Sequence, residues 1–183
     1  MGGAILWKKE NNLKEEVVLV SSCLAGIPCR YNGKAAPNAE VIELVESGRA
    51  IPVCPEVLGG LPTPRPAAEI VGDKVLSQEG EDFTPEFIYG AKKTLKIAEE
   101  LECKKAILKS GSPSCGFKKI YDGTFTGNMK EANGIAAQLL HDNGIEIESR
   151  WYYEYYYYSI PLLSMGIYKA RLIWMIIYQS YSL

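Results

Sequence analysis

Short apolar runs alternate with amphipathic segments along most of the chain. Four of these runs predict β-strands, at residues 17–20, 51–54, 106–108 and 145–147. The first run is continuous and β-branched, as expected of a strand that is buried on both faces. Pro52 makes the second run an edge strand or a strand start, because proline donates no ladder hydrogen bond.

Amphipathic segments between these runs predict three helices. Asn38 caps the first helix and Gly48 ends it. Thr84 caps the second, whose apolar residues recur at helical spacing, and the third covers residues 135–140. The prolines between residues 52 and 66 predict a long loop there, because proline is not compatible with a helix interior or a central strand.

This order of elements predicts an α/β fold. Alternation of strands and helices implies right-handed crossovers and a mainly parallel sheet of about four strands flanked by helices, a Rossmann-like arrangement. In such sheets ligands bind beyond the carboxyl ends of the strands. The length of 183 residues corresponds to about one domain. We expect a lead-in over residues 1–15, a domain over residues 16–149 and an atypical tail over residues 150–183.

The tail differs sharply in composition from the rest of the chain. It is rich in tyrosine, and residues 160–178 are almost entirely apolar. Lys169 and Arg171 disfavour a membrane helix, since a cation near the bilayer centre costs about 3 kcal/mol. An interfacial or partner-docking helix remains an alternative. The abrupt break favours a non-native segment, from a shifted frame or a fusion.

Charge and residue counts exclude several classes of function. The net charge of −2 argues against an extended nucleic-acid surface, so we expect no DNA partner, and the same argument disfavours an RNA partner. The single histidine, His141, excludes zinc and iron sites that need two histidines. Five cysteines and no visible secretory signal favour the reducing cytoplasm, where cysteines act more often as ligands or nucleophiles than in disulfides.

Three cysteines share a position in the predicted topology. Cys23, Cys54 and Cys115 each lie at the carboxyl end of a predicted strand or in the loop after it, so in a parallel sheet they converge on one edge. Three thiolates suit a soft metal or an iron–sulfur cluster. Three ligands instead of four leave a coordination position open for chemistry. The alternative is that each is a small buried core residue.

The other two cysteines have different expectations. Cys29 is a fourth ligand or, as we prefer, an accessory thiol on the same loop. Cys103 lies at a helix end away from this edge and is expected to be structural. A redox disulfide within the group is a further alternative, although the C-x-x-C spacing that would support it is missing.

Polar residues beside these cysteines are candidates for catalysis. Glu56 follows Cys54 by two residues and is a candidate general acid or base, or a solvated loop charge. Ser112 and Ser114 could orient a substrate or donate to a cluster sulfur, although serine is also common in turns. Weaker candidates for substrate binding, besides Ser114, are three basic residues: Arg30, Arg65 and Lys109.

Three blocks of sequence, in order, resemble the thiouracil desulfurase family, which was long catalogued as a domain of unknown function. They are VSSCLAG with CRYNG in residues 20–33, CPEVLGGL in residues 54–61 and KSGSPSCG in residues 109–116. Residues 120–123 and 143–145 are similar to its closing stretches. The resemblance covers residues 16–149, as a stand-alone single-domain form, and the tail has no counterpart in it.

The resemblance implies an enzyme with a 4Fe–4S cluster, held by Cys23, Cys54 and Cys115 and leaving one iron open. It also implies that Glu56 is the catalytic acid and that Ser112 is important for the reaction. The implied reaction is cleavage of a C–S bond by water, which converts a thiolated pyrimidine of the 2- or 4-thiouracil type to the oxo base and sulfide. The expected partner is therefore a small thiolated base or nucleoside.

Two other functions stay open at this point. One is desulfuration of thiolated RNA, although family members with that role carry a second domain. The other is a non-catalytic metal or sulfur carrier, or a zinc-stabilised binding module.

Overall fold

A four-stranded parallel sheet lies at the centre of the structure, a computed structural model that describes residues 16–150. In chain order the elements are β1 (Val18–Ser21), α1 (Ala39–Glu46), β2 (Ala50–Val53), α2 (Pro55–Leu58), β3 (Ala68–Val71), β4 (Lys74–Ser77), α3 (Thr84–Glu100), β5 (Lys105–Lys109), β6 (Ile120–Tyr121), β7 (Met129–Lys130), α4 (Ile135–Asp142) and β8 (Glu146–Arg150). The central sheet has the order β2-β1-β5-β8.

All neighbouring strands of the central sheet are parallel, which confirms the predicted α/β class. β1 is an inner strand with β2 on one side and β5 on the other, so the carboxyl ends of these three strands are adjacent. The strand order reverses beside β1, and such a switch point opens a crevice for ligands beyond the carboxyl ends. Pro52 lies in β2, at the sheet edge, as its missing N–H predicts.

The helix starts follow the predictions, with one correction. Asn38 accepts a hydrogen bond from the Val41 amide (3.2 Å) at the start of α1. Thr84, by contrast, is the first helical residue of α3 and not its cap. Its hydroxyl instead accepts a hydrogen bond from the Val75 amide (2.9 Å), which attaches α3 to β4.

The proline-rich stretch is more regular than its composition predicts. Pro55–Leu58 forms the helical turn α2, so the prediction that this stretch contains no helix was wrong. Pro55 occupies the first helical position, where the N–H that proline lacks would have no partner in the helix. α2 packs against α3, and this packing holds the segment that carries Glu56.

Two antiparallel hairpins, β3–β4 and β6–β7, were not predicted. Glu69 in β3 joins them, because its Oε2 accepts hydrogen bonds from the amides of Gly123 (2.8 Å) and Phe125 (3.2 Å). Lys130 adds a second tie by donating to the Ile70 carbonyl (3.0 Å). The hairpins border the carboxyl edge of the sheet and extend the surface available to a ligand there.

The main core lies between the central sheet and helices α3 and α4. It includes Leu19, Leu108 and Leu140, each buried, together with Cys103, which is the structural position predicted for that thiol. Within residues 16–150 no helix is long and apolar enough to cross a membrane. The whole predicted lead-in, residues 1–15, lies outside the described residues. The same holds for residues 151–183 of the predicted tail, and therefore for the alternatives given for that tail.

Candidate active site

A cavity of about 320 Å³ opens at the carboxyl edge of the central sheet. Three strand ends supply cysteines to it: Cys23 lies in the turn after β1, Cys54 directly follows β2, and Cys115 lies in the loop after β5. Cys29 lines the same cavity. The structure therefore brings together the three cysteines that the topology placed on one edge, with the accessory thiol among them.

Hydrogen bonds from backbone amides to serine hydroxyls hold these loops in place. The Ser21 hydroxyl accepts from the Lys109 amide (3.0 Å), which ties the end of β1 to the end of β5. After β5, the Ser112 hydroxyl accepts from the amides of Ser114 (3.0 Å) and Cys115 (3.1 Å). This turn is one that serine favours, and here it fixes the backbone at Cys115, which lines the cavity.

The thiols of Cys23, Cys29 and Cys54 interact directly. The Cys29 thiol shares its proton with the sulfurs of Cys23 and Cys54, and this sharing raises the pKa of Cys29 far above its usual range. The same hydrogen bonds lower the pKa of Cys23, and they lower the pKa of Cys54 to about 7. The protonated thiol of Cys29 therefore stabilises the thiolate forms of Cys23 and Cys54.

Burial affects the remaining groups of the cavity. Desolvation raises the pKa of the fully buried Cys115 thiol well above its usual range. Desolvation also lowers the pKa of Lys109, which lines the cavity and donates from Nζ to the Ser110 carbonyl (2.7 Å). The charge of Lys109 favours the thiolate form of Cys23.

The donor set fits an iron–sulfur cluster better than a single ion. Residues 16–150 contain no group of three histidine, cysteine, aspartate or glutamate side chains that could hold one metal ion. The cysteines of a cluster bind different irons, so they do not have to meet at one point. Ser114 Oγ, in the residue before Cys115, is buried and has no hydrogen-bond partner among the described residues.

Glu56 reaches the cavity from the first turn of α2. Its side chain is 15% exposed. Oε2 accepts hydrogen bonds from Arg65 Nε (2.8 Å) and from a terminal nitrogen of Arg65 (2.5 Å). Oε1 lies 3.5 Å from the Ser112 hydroxyl. Glu56 and Ser112, predicted separately from two loops, thus lie next to each other in the wall of the cavity.

The four weaker predictions for substrate binding have different outcomes. Arg30 and Lys109 line the cavity. Ser114 does not, because its carbonyl accepts from the amides of Ala136 and Ala137 and turns the residue towards the start of α4. Arg65 lines the cavity, but its guanidinium is occupied by protein acceptors.

The sequence did not lead us to predict three further residues that line the cavity. Tyr31 and Tyr121 are 43% and 40% exposed, and Glu69 is buried. Tyr31 lies within the CRYNG block, so that block was a usable signal for it. Tyr121 and Glu69 belong to the hairpins, and no periodicity in the sequence placed those hairpins against the sheet.

Comparison with known proteins adds an independent finding. The family model described as 2-thiouracil desulfurase matches residues 18–150. The uncharacterized protein YbbK of Bacillus subtilis (strain 168) is 43% identical over 143 residues, which is 73% of this chain and 95% of YbbK. A solved structure described as TudS, a 4Fe–4S-dependent thiouracil desulfidase, is similar with a TM-score of 0.71 and 42% identity. That match covers 74% of this chain and 91% of TudS.

Proposed function

The chain belongs to the 2-thiouracil desulfurase family, and we propose that it removes sulfur from a thiolated pyrimidine through residues 16–149. Water replaces the thiocarbonyl sulfur, so the products are the oxo base and hydrogen sulfide, with no net transfer of electrons. One observation carries the proposal: a single cavity joins three cysteines from three strand ends to a carboxylate and a hydroxyl.

Cys23, Cys54 and Cys115 would hold the 4Fe–4S cluster named in the description of TudS. With three protein ligands, such a cluster supplies a Lewis-acidic iron with an open position for the thiocarbonyl sulfur. The lowered pKa values of Cys23 and Cys54 support this ligand set, because the thiolate is the form that binds metal. Cys29 would remain a hydrogen-bonding thiol beside the ligands.

Glu56 would move the protons of the reaction. Its Oε2 is engaged by Arg65, which leaves Oε1 as the oxygen on the side of Ser112. From this position the carboxylate accepts a proton from the attacking water, and the resulting acid returns a proton to the ring nitrogen or to the departing sulfur. Positioned general acid–base groups contribute roughly 100-fold to 10,000-fold to a rate.

Ser112 would orient the substrate. A hydroxyl has one proton to donate and two lone pairs that accept. The amides of Ser114 and Cys115 occupy the accepting side of the Ser112 oxygen. Its proton is directed towards Glu56 Oε1 at the long distance of 3.5 Å, and a carbonyl or ring nitrogen of the base is a competing acceptor for it.

The cavity suits a small planar substrate. Tyr31 and Tyr121 present exposed rings at its border, and a planar pyrimidine can stack on an aromatic face. The slightly acidic chain does not offer the strongly basic surface that binding of RNA phosphates usually requires. We therefore favour a free thiolated base or nucleoside over thiolated RNA.

Anaerobic reconstitution with iron and sulfide, followed by incubation with 4-thiouracil, tests the proposal. We expect the near-ultraviolet absorbance of the thiobase to disappear with the wild-type protein. Glu56→Gln should lower the rate by about 100-fold or more. Glu46→Gln, on an exposed site of α1, is the matched control and should leave the rate unchanged.

Two outcomes would overturn the proposal. A protein that takes up iron and sulfide but leaves thiouracil untouched acts on another thiolated substrate, such as RNA. A protein that takes up no iron is a carrier or a zinc-stabilised module instead.

A further inference from the structure

Arg65 is a buried arginine at the border of the cavity, with only 3% of its side chain exposed. A guanidinium has five N–H donors. The structure gives Arg65 five acceptor contacts: Glu56 Oε2 from both Nε and one terminal nitrogen, the Cys29 carbonyl (3.1 Å), the Pro62 carbonyl (3.0 Å) and the Thr63 hydroxyl (3.2 Å). All five donors are therefore used within the protein.

We propose that Arg65 is a positioning residue that holds Glu56 in its catalytic orientation and does not itself bind the substrate. This inference rests on the proposed function. The carboxylate of Glu56 has two oxygens, and the paired donors of Arg65 hold Oε2. The other oxygen, Oε1, is thereby left on the side of Ser112 and the cavity. Without Arg65 the carboxylate would be free to rotate about its Cγ–Cδ bond, and Oε1 would no longer be held on the side of Ser112.

The same side chain connects three segments that border the site. Its guanidinium contacts α2 through Glu56, the loop after β1 through the Cys29 carbonyl, and its own loop through the Pro62 carbonyl. The Arg65 amide also donates to the Tyr31 carbonyl (2.8 Å). Arg65 therefore fixes Glu56 relative to the loop that carries the accessory thiol.

The geometry requires arginine and not only a positive charge. A planar guanidinium presents two parallel donors to a carboxylate, whereas a lysine ammonium is a compact point charge. Lysine at this position could keep a charge near Glu56 but could not reach the Cys29 and Pro62 carbonyls at the same time. We therefore expect Arg65→Lys to recover only part of the function lost in Arg65→Gln.

A double-mutant cycle tests the proposal with Arg65→Gln, Glu56→Gln and the double variant, all reconstituted with iron and sulfide and assayed on 4-thiouracil. We expect Arg65→Gln to lower kcat by about 10- to 100-fold, the cost of a misplaced catalytic group, with KM changed less than about threefold. In the Glu56→Gln background the same change should have almost no further effect on kcat, because its target is gone. Arg49→Gln, at the amino-terminal end of β2, is the matched control.

A second measurement needs no cluster and no activity. In a ¹H–¹⁵N spectrum of the metal-free protein, the Arg65 Nε–H should give a cross peak that exchanges slowly with water and shifts strongly in Glu56→Gln. This signal reports the ion pair even if thiouracil is not the substrate. Failure of the proposed function would abolish turnover in every variant, wild type included, and would leave this signal in place.

Three results would overturn the inference. A raised KM with unchanged kcat would make Arg65 a substrate contact. Equal fold losses in the wild-type and Glu56→Gln backgrounds would mean that Arg65 acts independently of Glu56, as a structural role predicts. A rapidly exchanging Nε–H that does not respond to Glu56→Gln would show that the ion pair does not form. If Arg65→Gln fails to fold, Arg65→Lys carries the same cycle.

Discussion

Replacing Gly90 with alanine should destabilise the protein, although the same change in an ordinary helix stabilises it. Gly90 lies inside α3 and is buried where α2 crosses this helix. A Cβ at Gly90 would lie 2.7 Å from the Pro55 carbonyl carbon and 3.0 Å from the Gly59 nitrogen, and closer still to the Pro55 oxygen. Side-chain carbons essentially never approach other atoms closer than 3.0 Å.

Two opposing free-energy contributions determine whether Gly90→Ala stabilises or destabilises the protein. Alanine gains about 1 kcal/mol over glycine in a helix interior. Overpacking a well-filled contact costs typically about 1–3 kcal/mol, and more where backbone atoms must move. Here the obstruction is backbone on α2, and Gly59 faces the same limit against the Glu86 carbonyl. Because the obstruction is backbone, the cost lies at the upper end of this range or above it, and after the helix gain we expect a net loss of about 2 kcal/mol or more in the free energy of unfolding.

The assay is urea denaturation of the metal-free chain, followed by kinetics of the reconstituted enzyme. Because α2 carries Glu56, pushing the two helices apart also displaces the carboxylate that we propose as the catalytic group. A displacement of about 1 Å can lower a rate by about 100-fold. Lys92→Ala, at an exposed position of α3, is the control and should change stability by less than about 0.5 kcal/mol. A Gly90→Ala protein as stable as wild type would refute the packing argument.

Two further predictions concern the cysteines and the hairpins. Alkylation of the metal-free chain by iodoacetamide should rise with pH around 7 and label Cys54 before Cys115, because the thiolate is the nucleophile and the pKa is lowered at Cys54 but raised at Cys115. Labelling of Cys115 before Cys54 would contradict the assignment. Cys29→Ala should move the Cys54 profile to higher pH, because it removes the main cause of that lowering. Glu69→Ala should lower the free energy of unfolding by about 1–3 kcal/mol, because two partly buried amide hydrogen bonds lose their acceptor. An unchanged urea midpoint would contradict that role.

The central sheet was predictable because its signals are local. The β-branched run before Cys23 and the cap at Asn38 each indicate an element from a few residues. Alternation of strands and helices then fixes the parallel topology, and the topology places the cysteines on one edge. Their positions beside the cysteines made Glu56 and Ser112 candidates, and the resemblance in the three sequence blocks implied a role in the reaction for both.

The remaining features depend on tertiary contacts that no local pattern contains. The helical turn at Pro55 forms in a stretch whose prolines favour a loop, and it packs on α3 through two glycines. The β6–β7 hairpin has strands of two residues, too short for periodicity. Arg65 was a weak candidate for substrate binding from its residue type alone, and the hydrogen bonds that occupy its guanidinium reach segments up to 36 residues away, which no local pattern shows.

The central claim is that Cys23, Cys54 and Cys115 together hold an iron–sulfur cluster. The most direct test is the iron and sulfide content, per chain, of five cysteine-to-serine variants after anaerobic reconstitution. We expect a full cluster in the wild type, in Cys103→Ser and in Cys29→Ser, and a severe loss in each of the three ligand variants. A cluster retained in Cys115→Ser, or lost in Cys103→Ser, would contradict the account.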